Sequence, residues 1–74
     1  MQRGVVVKAN RSSGLIETSE GQSHHFCRED QHKRRGNNFV PVEEQHRYFP
    51  KKGKEVEILE LDPHGQRATK WRLV

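Results

Sequence analysis

The stretch RSSGLIET, Arg11 to Thr18, decides how the rest of the chain is read. Ser12 and Ser13 suit a turn, because their hydroxyls compete for backbone groups and disfavour regular structure. Gly14-Leu15-Ile16-Glu17-Thr18 is then short, apolar at its centre and strand-like. Upstream, Gly4-Val5-Val6-Val7-Lys8 is β-branched, and Asn10 to Ser13 supplies the turn between the two runs. The pair predicts a hairpin. Downstream, Ser19-Glu20-Gly21-Gln22 is a second polar turn, with Gly21 suited to a positive φ, and Ser23-His24-His25-Phe26-Cys27 predicts a third strand.

The C-terminal third repeats this grammar. Glu55 to Leu61 alternates and then slips register at Ile58-Leu59, which predicts a bulge or bend. Asp62-Pro63-His64-Gly65 is a strong turn signal, and Arg67 to Val74 closes the chain as a last strand with Ala68, Trp71 and Leu73 as its apolar members. Between the third and fourth strands, residues 28–53 are sparse in apolar side chains. Gly36-Asn37-Asn38 marks a turn there, while Pro41 and Pro50 discourage a long helix. The segment reads as an enlarged connecting loop, with one helical turn placed over residues 42–46. The expected architecture is all-β: a single domain over residues 1–74, built as a small, partly open five-stranded barrel with a long loop between strands three and four.

Composition limits what such a domain does. At 74 residues, 30% apolar and a mean hydropathy of -1.11, the core is restricted to about one layer of side chains. A large enclosed catalytic cavity is not expected. Residues 28–54 hold eight basic side chains against four acidic ones, while the remainder balances at six of each, so the whole net charge of +4 resides in one central segment. That distribution suits a polyanion, although a solvated basic loop has the same signature. The single Cys27 excludes an internal disulfide and points to a reducing compartment, taken as the cytoplasm. The three-valine run near the start is far below the ~7–15 residues of a signal-peptide core, and no segment approaches the ~18 residues of a membrane span. The starting methionine favours a free protein over an excised domain.

Arg11-Ser12-Ser13-Gly14-Leu15-Ile16-Glu17 lies without a gap over a motif of lysine-glycine-aromatic-glycine-aromatic-isoleucine-glutamate, and His24-His25-Phe26-Cys27-Arg28 lies over valine-phenylalanine-valine-histidine-phenylalanine. Lys52-Gly53-Lys54-Glu55-Val56-Glu57-Ile58 and Gly65 to Leu73 follow two further strand patterns in the same order. In these elements the chain resembles the cold-shock domain family, a nucleic-acid-binding group with an OB-type barrel. The resemblance covers residues 4–27 and 50–74. Residues 28–49 have no close counterpart in compact members.

Family membership would imply binding of single-stranded DNA or RNA by bases laid on exposed rings, and the ligand expected here is RNA ahead of DNA. Three ring positions fall here on Ser13, Leu15 and His25, of which only His25 keeps a planar face. Each lost ring removes ~1–3 kcal/mol per base, which leaves a weaker and more salt-dependent binder. Basic side chains offer compensation: Lys8, Arg11, Arg28, Lys33, Arg34 and Arg35 are expected near the same sheet. Phe39, Tyr48 and Phe49 could add rings from the loop, although Tyr48-Phe49-Pro50 better suits a cover for an open barrel end, and Trp71 suits a core position. The second reading is a cold-shock-like protein-interaction module whose 28–53 loop contacts a partner, favoured by exposed Leu15 and by the acidic strand. A monomer without membrane contact is expected in either case.

Other chemistries are poorly supported. His24, His25, Cys27 and His32 form an H-H-x-C-x4-H pattern that His46 would complete as a tetrahedral zinc set. Strand alternation, however, sets His24 on the face opposite His25 and Cys27, and the spacing matches no common zinc module. The histidines then read as polar surface, and no metal or other cofactor is expected. Cys27 beside His25 lacks an orienting third group and an oxyanion donor, so no enzymatic activity is expected. Glu55, Glu57 and Glu60 read as an acidic edge that keeps a strand unpaired.

Overall fold

Residues 2–43 and 49–74 are described by a computed structural model of the chain. The hairpin expected from the first strands forms: β1 (Gln2–Ala9) pairs antiparallel with β2 (Ser13–Thr18). Asn10, more than the serines, organises its turn. Its Oδ1 accepts from the Ser12 N–H (3.2 Å), the Ser13 N–H (3.0 Å) and the Ser13 hydroxyl (3.2 Å), an Asx-type turn that satisfies backbone donors locally. A register shift between Val6 and Lys8 makes Val7 a bulge. Plain alternation from buried Val6 would turn Lys8 inward; the extra residue reverses the parity, and Lys8 emerges exposed opposite Leu15. Gly14 permits the close approach at this point, because a Cβ there would press on the Lys8 carbonyl oxygen and lie 2.7 Å from Phe26 Cε1.

Five strands close on themselves. With β3 (Ser23–Cys27), β6 (Glu55–Leu61) and β7 (Arg67–Leu73), the order is β1-β2-β3-β7-β6, and β6 pairs back to β1. β3 runs parallel to β7 and the other pairs are antiparallel, which gives an OB-like barrel. The barrel is closed, not partly open. Closure also overturns the reading of Glu55, Glu57 and Glu60 as an acidic free edge, since β6 has a partner on both sides. Glu55 meets Arg3 at 3.3 Å, Glu60 meets Lys70 at 3.4 Å, and Glu57 is buried against Arg72 at 2.7 Å. The expected slip at Ile58-Leu59 is present as shifts around Glu60, opposite Ala68 and Lys70.

The core is one layer deep. Val6, Ile16, Phe26, Val56, Ile58, Ala68 and Trp71 form it, with Phe49, Leu61 and Leu73 packed at its margin. Trp71 is fully buried, as expected, and donates its indole N–H to the Cys27 carbonyl at 2.8 Å, which removes the cost of a buried polar group. Phe49 stacks on Phe26 at 5.2 Å and meets Trp71 edge-on at 6.0 Å, while Pro50 is buried beside it, so this pair does cover the barrel end. His24 is not polar surface. Alternation does separate it from His25, but the face it occupies is the interior: His24 is buried and its Nδ1 lies 2.6 Å from the Gly65 carbonyl in the β6–β7 turn.

The connection between the third and fourth barrel strands contains structure of its own. After a 3-10 turn at Arg28–Asp30, β4 (His32–Arg35) and β5 (Asn38–Pro41) form an antiparallel hairpin around Gly36-Asn37, with Gly36 at φ 62° and no positive φ at Asn37. That combination is a two-residue type II′ pattern, well matched to strand twist. A parallel bridge between Gln31 and Trp71 roots the hairpin on β7, and a bond from the Val42 N–H to the Gln31 carbonyl (3.0 Å) extends the hairpin's own ladder by one pair. The helical turn expected over residues 42–46 lies largely outside the described residues. Val42 and Glu43, which are described, are not helical.

Candidate functional site

Register brings three of the expected site residues into one row with a fourth residue, Arg67. Lys8 stands opposite Leu15, Leu15 opposite His25, and His25 opposite Arg67, so one row crosses β1, β2, β3 and β7 on the outer surface. Directly opposed side chains on one face lie about 4.5–5.5 Å apart at Cβ and touch. Lys8, Leu15 and His25 line a recess of ≈ 160 Å³ together with Ser13, Gly14 and Asn10. Lys8 and His25 are exposed, and Ser13 and Leu15 are half-buried.

The chemistry of the recess follows from which atoms are already engaged. Asn10 Oδ1 is saturated by the turn, so its amide N–H groups are its remaining polar function. The Ser13 hydroxyl donates to Asn10 and keeps its lone pairs as acceptors. Lys8 adds an ammonium, Leu15 an apolar floor and His25 a flat ring. Sequence reasoning treated Asn10 only as a turn residue and passed over Arg67; Arg67 joins the row only by pairing across strands, while Asn10 lines the recess through the local turn that it organises.

Arg11, in the β1–β2 turn, is exposed beside this recess in sequence. Among the described residues neither Lys8 nor Arg11 makes an ion pair. Arg67 differs. Its guanidinium meets Asp30 at 2.6 Å and Glu29 at 3.9 Å, and the hydrogen bond and charge of Asp30 hold its pKa above the ordinary arginine value. The row therefore carries free positive charge at its β1 end and a neutralised arginine at its β7 end.

The remaining expected residues are dispersed. Arg28 is half-buried with its guanidinium 5.3 Å from the Phe49 ring centre, a cation–π contact that supports the barrel end; its backbone N–H bonds the Ser12 carbonyl at 2.8 Å. Lys33, Arg34 and Arg35 are exposed on β4. Phe39, opposite Arg34, is half-buried and has the Arg72 guanidinium 5.9 Å from its ring centre, so one ring face is occupied in holding the hairpin to β7. Tyr48 and His46 lie outside the described residues.

A larger cleft of ≈ 450 Å³ opens between Phe49-Pro50-Lys51 and the C-terminal Leu73-Val74, but none of the expected site residues lines it. Among the described residues no three His, Cys, Asp or Glu side chains converge as a metal set. No described helix is long and apolar enough to cross a membrane. No protein-family model matches the chain, and no curated protein matches it either.

Proposed function

We propose that the barrel binds single-stranded RNA or DNA across the outer row of β1, β2 and β3. The observation that carries this reading is the convergence of Lys8, Leu15 and His25, in register, on a recess that also presents Asn10 and Ser13. Lys8 and Arg11 neutralise phosphates, with Lys33, Arg34 and Arg35 adding long-range attraction. One base rests on the His25 ring and the Leu15 side chain, and the Asn10 amide and Ser13 hydroxyl offer hydrogen bonds to its edge. Arg28 and Phe39 act through packing. No cofactor takes part, and the resemblance to cold-shock domains in the first and second motifs supports the same assignment.

Phosphate neutralisation dominates such a site, so affinity falls steeply with salt. Replacing Lys8 and Arg11 together with glutamine tests this by fluorescence anisotropy on a single-stranded oligonucleotide. Two lost phosphate contacts reduce the slope of log K against log salt by about 1.4. An unchanged slope would favour the second reading, a protein-interaction module, for which half-buried Leu15 and exposed Val5 on the same barrel surface supply the apolar contact.

A further inference from the structure

The β4–β5 hairpin carries features that a single-strand site does not need. Its ten residues from His32 to Pro41 include Lys33, Arg34 and Arg35 and no carboxylate, and every residue from Lys33 to Asn38 is exposed. Alternation places Lys33 and Arg35 on one face of the ribbon and Arg34 on the other, where it pairs with Phe39. Cations on both faces suit two opposed rails of phosphate better than one strand. The exposed tip carries no aromatic ring; of the two rings at the base, Phe39 is engaged with Arg72 and half-buried His32 has its Nδ1 2.6 Å from the Asp30 carbonyl, so the hairpin is not built for stacking bases.

Its root is fixed. Gln31 is buried and bridged to Trp71, the Arg72 guanidinium lies over Phe39, and the same arginine is held by Glu57 at 2.7 Å. A rooted two-stranded ribbon with its strands about 4.8 Å apart is an element that the major groove of B-form DNA, about 12 Å wide, admits. The deep, narrow major groove of A-form RNA does not admit one. At the tip, Asn37 and Asn38 present the side-chain amides that pair with adenine edges in that groove.

We propose that the β4–β5 hairpin is a second interaction surface, which lies in the major groove of duplex DNA with Lys33 and Arg35 directed to one phosphate strand and Arg34 to the other. The surface uses no residue of the Lys8–Leu15–His25 recess, and its three cations, which only attract a single strand from a distance, contact phosphates directly in the duplex complex.

The test is anisotropy of the full chain on a labelled blunt DNA duplex, titrated between about 50 and 200 mM salt, with an RNA duplex of the same sequence as comparator. Three phosphate contacts give a slope of log K against log salt of about -2.7. The K33Q/R34Q/R35Q variant, with folding checked by its amide spectrum, is expected to lose roughly tenfold or more in duplex affinity. If that variant does not fold, K33Q/R35Q keeps the Arg34 to Gly36 hydrogen bond and is expected to lower the slope by about 1.8. The proposal is overturned if the duplex is not bound at low salt, if the hairpin variants bind it like the parent, or if duplex RNA binds as tightly as duplex DNA.

Discussion

Leu15 and His25 stand directly opposite each other on β2 and β3, where the outer surface of the barrel offers one apolar side chain and one flat ring to whatever lies across it. The pairing makes the number of rings on this surface an experimental variable. Leu15→Phe adds a stacking face at a position whose neighbours are already in place. Since one base stack is worth ~1–3 kcal/mol, single-strand affinity should rise roughly tenfold or more, and His25→Ala should lower it by a similar factor. Anisotropy on the same oligonucleotide reads both; equal affinities for the parent and both variants would remove stacking from the mechanism.

Gly14 tests the geometry that sets this row. A methyl group there meets Phe26 Cε1 at 2.7 Å and the Lys8 carbonyl, and neither the β1 backbone nor a fully buried ring has room to withdraw. Gly14→Ala should destabilise the fold by about 2 kcal/mol, a fall in Tm of roughly 8–16 °C. Thermal unfolding followed by circular dichroism measures it.

Trp71 joins β7 to the end of β3 through its indole N–H. In Trp71→Phe the Cys27 carbonyl loses that donor and the smaller ring leaves space against Phe26 and Phe49. The combined loss should be about 2–4 kcal/mol, a large share of the stability available to a domain of this size. Urea unfolding of the two proteins gives the difference directly.

Glu57 and Arg72 form the most buried ion pair among the described residues, and Arg72 also covers Phe39. Removing the carboxylate leaves a partly buried guanidinium without its counter-charge. Because Arg72 retains some solvent, the cost of Glu57→Ala should be about 2 kcal/mol, below the range for fully enclosed pairs. Amide exchange should also quicken in β5, since the arginine that steadies Phe39 is released; unchanged β5 protection would separate the hairpin anchor from the ion pair.

Asp62 links stability to acid. Partial burial pushes its carboxyl upward, but the backbone N–H groups of Arg67 and Gln66, the neighbouring His64 and the N–H of Gly65 together hold its pKa below the ordinary aspartate value. A folded-state pKa below the unfolded one gives stability that is complete above about pH 4 and lost as pH falls through the folded value. The Tm of the parent should therefore fall below about pH 4 more steeply than that of Asp62→Asn, which keeps an acceptor without a charge to lose.

Much of the barrel was legible because its signals are local. Runs such as Val5-Val6-Val7 and Leu15-Ile16 mark strands, Asp62-Pro63-His64-Gly65 marks a turn, and the slip at Ile58-Leu59 marks the irregular pairing around Glu60. Closure was not local. Whether Glu57 edges a sheet or is buried beside Arg72 depends on β6 finding β1 across more than forty residues. The β4–β5 hairpin escaped for another reason: His32-Lys33-Arg34-Arg35 is polar at every position, so it shows no alternation to detect, and only Gly36-Asn37 betrayed its turn. In the candidate site, His25 and Leu15 were readable from motif position and strand parity. Lys8 reaches them only through the bulge at Val7, and Asn10 only through the folded turn.

The measurement that bears most directly on single-strand binding by the barrel is an amide-resolved NMR titration with a short pyrimidine-rich RNA at low salt, repeated at higher salt. The expected result is a set of shifts centred on Lys8, Arg11, Ser13, Leu15 and His25 that shrinks as salt rises. Amides of these five residues that stay unmoved at saturating RNA would contradict a binding surface on β1, β2 and β3.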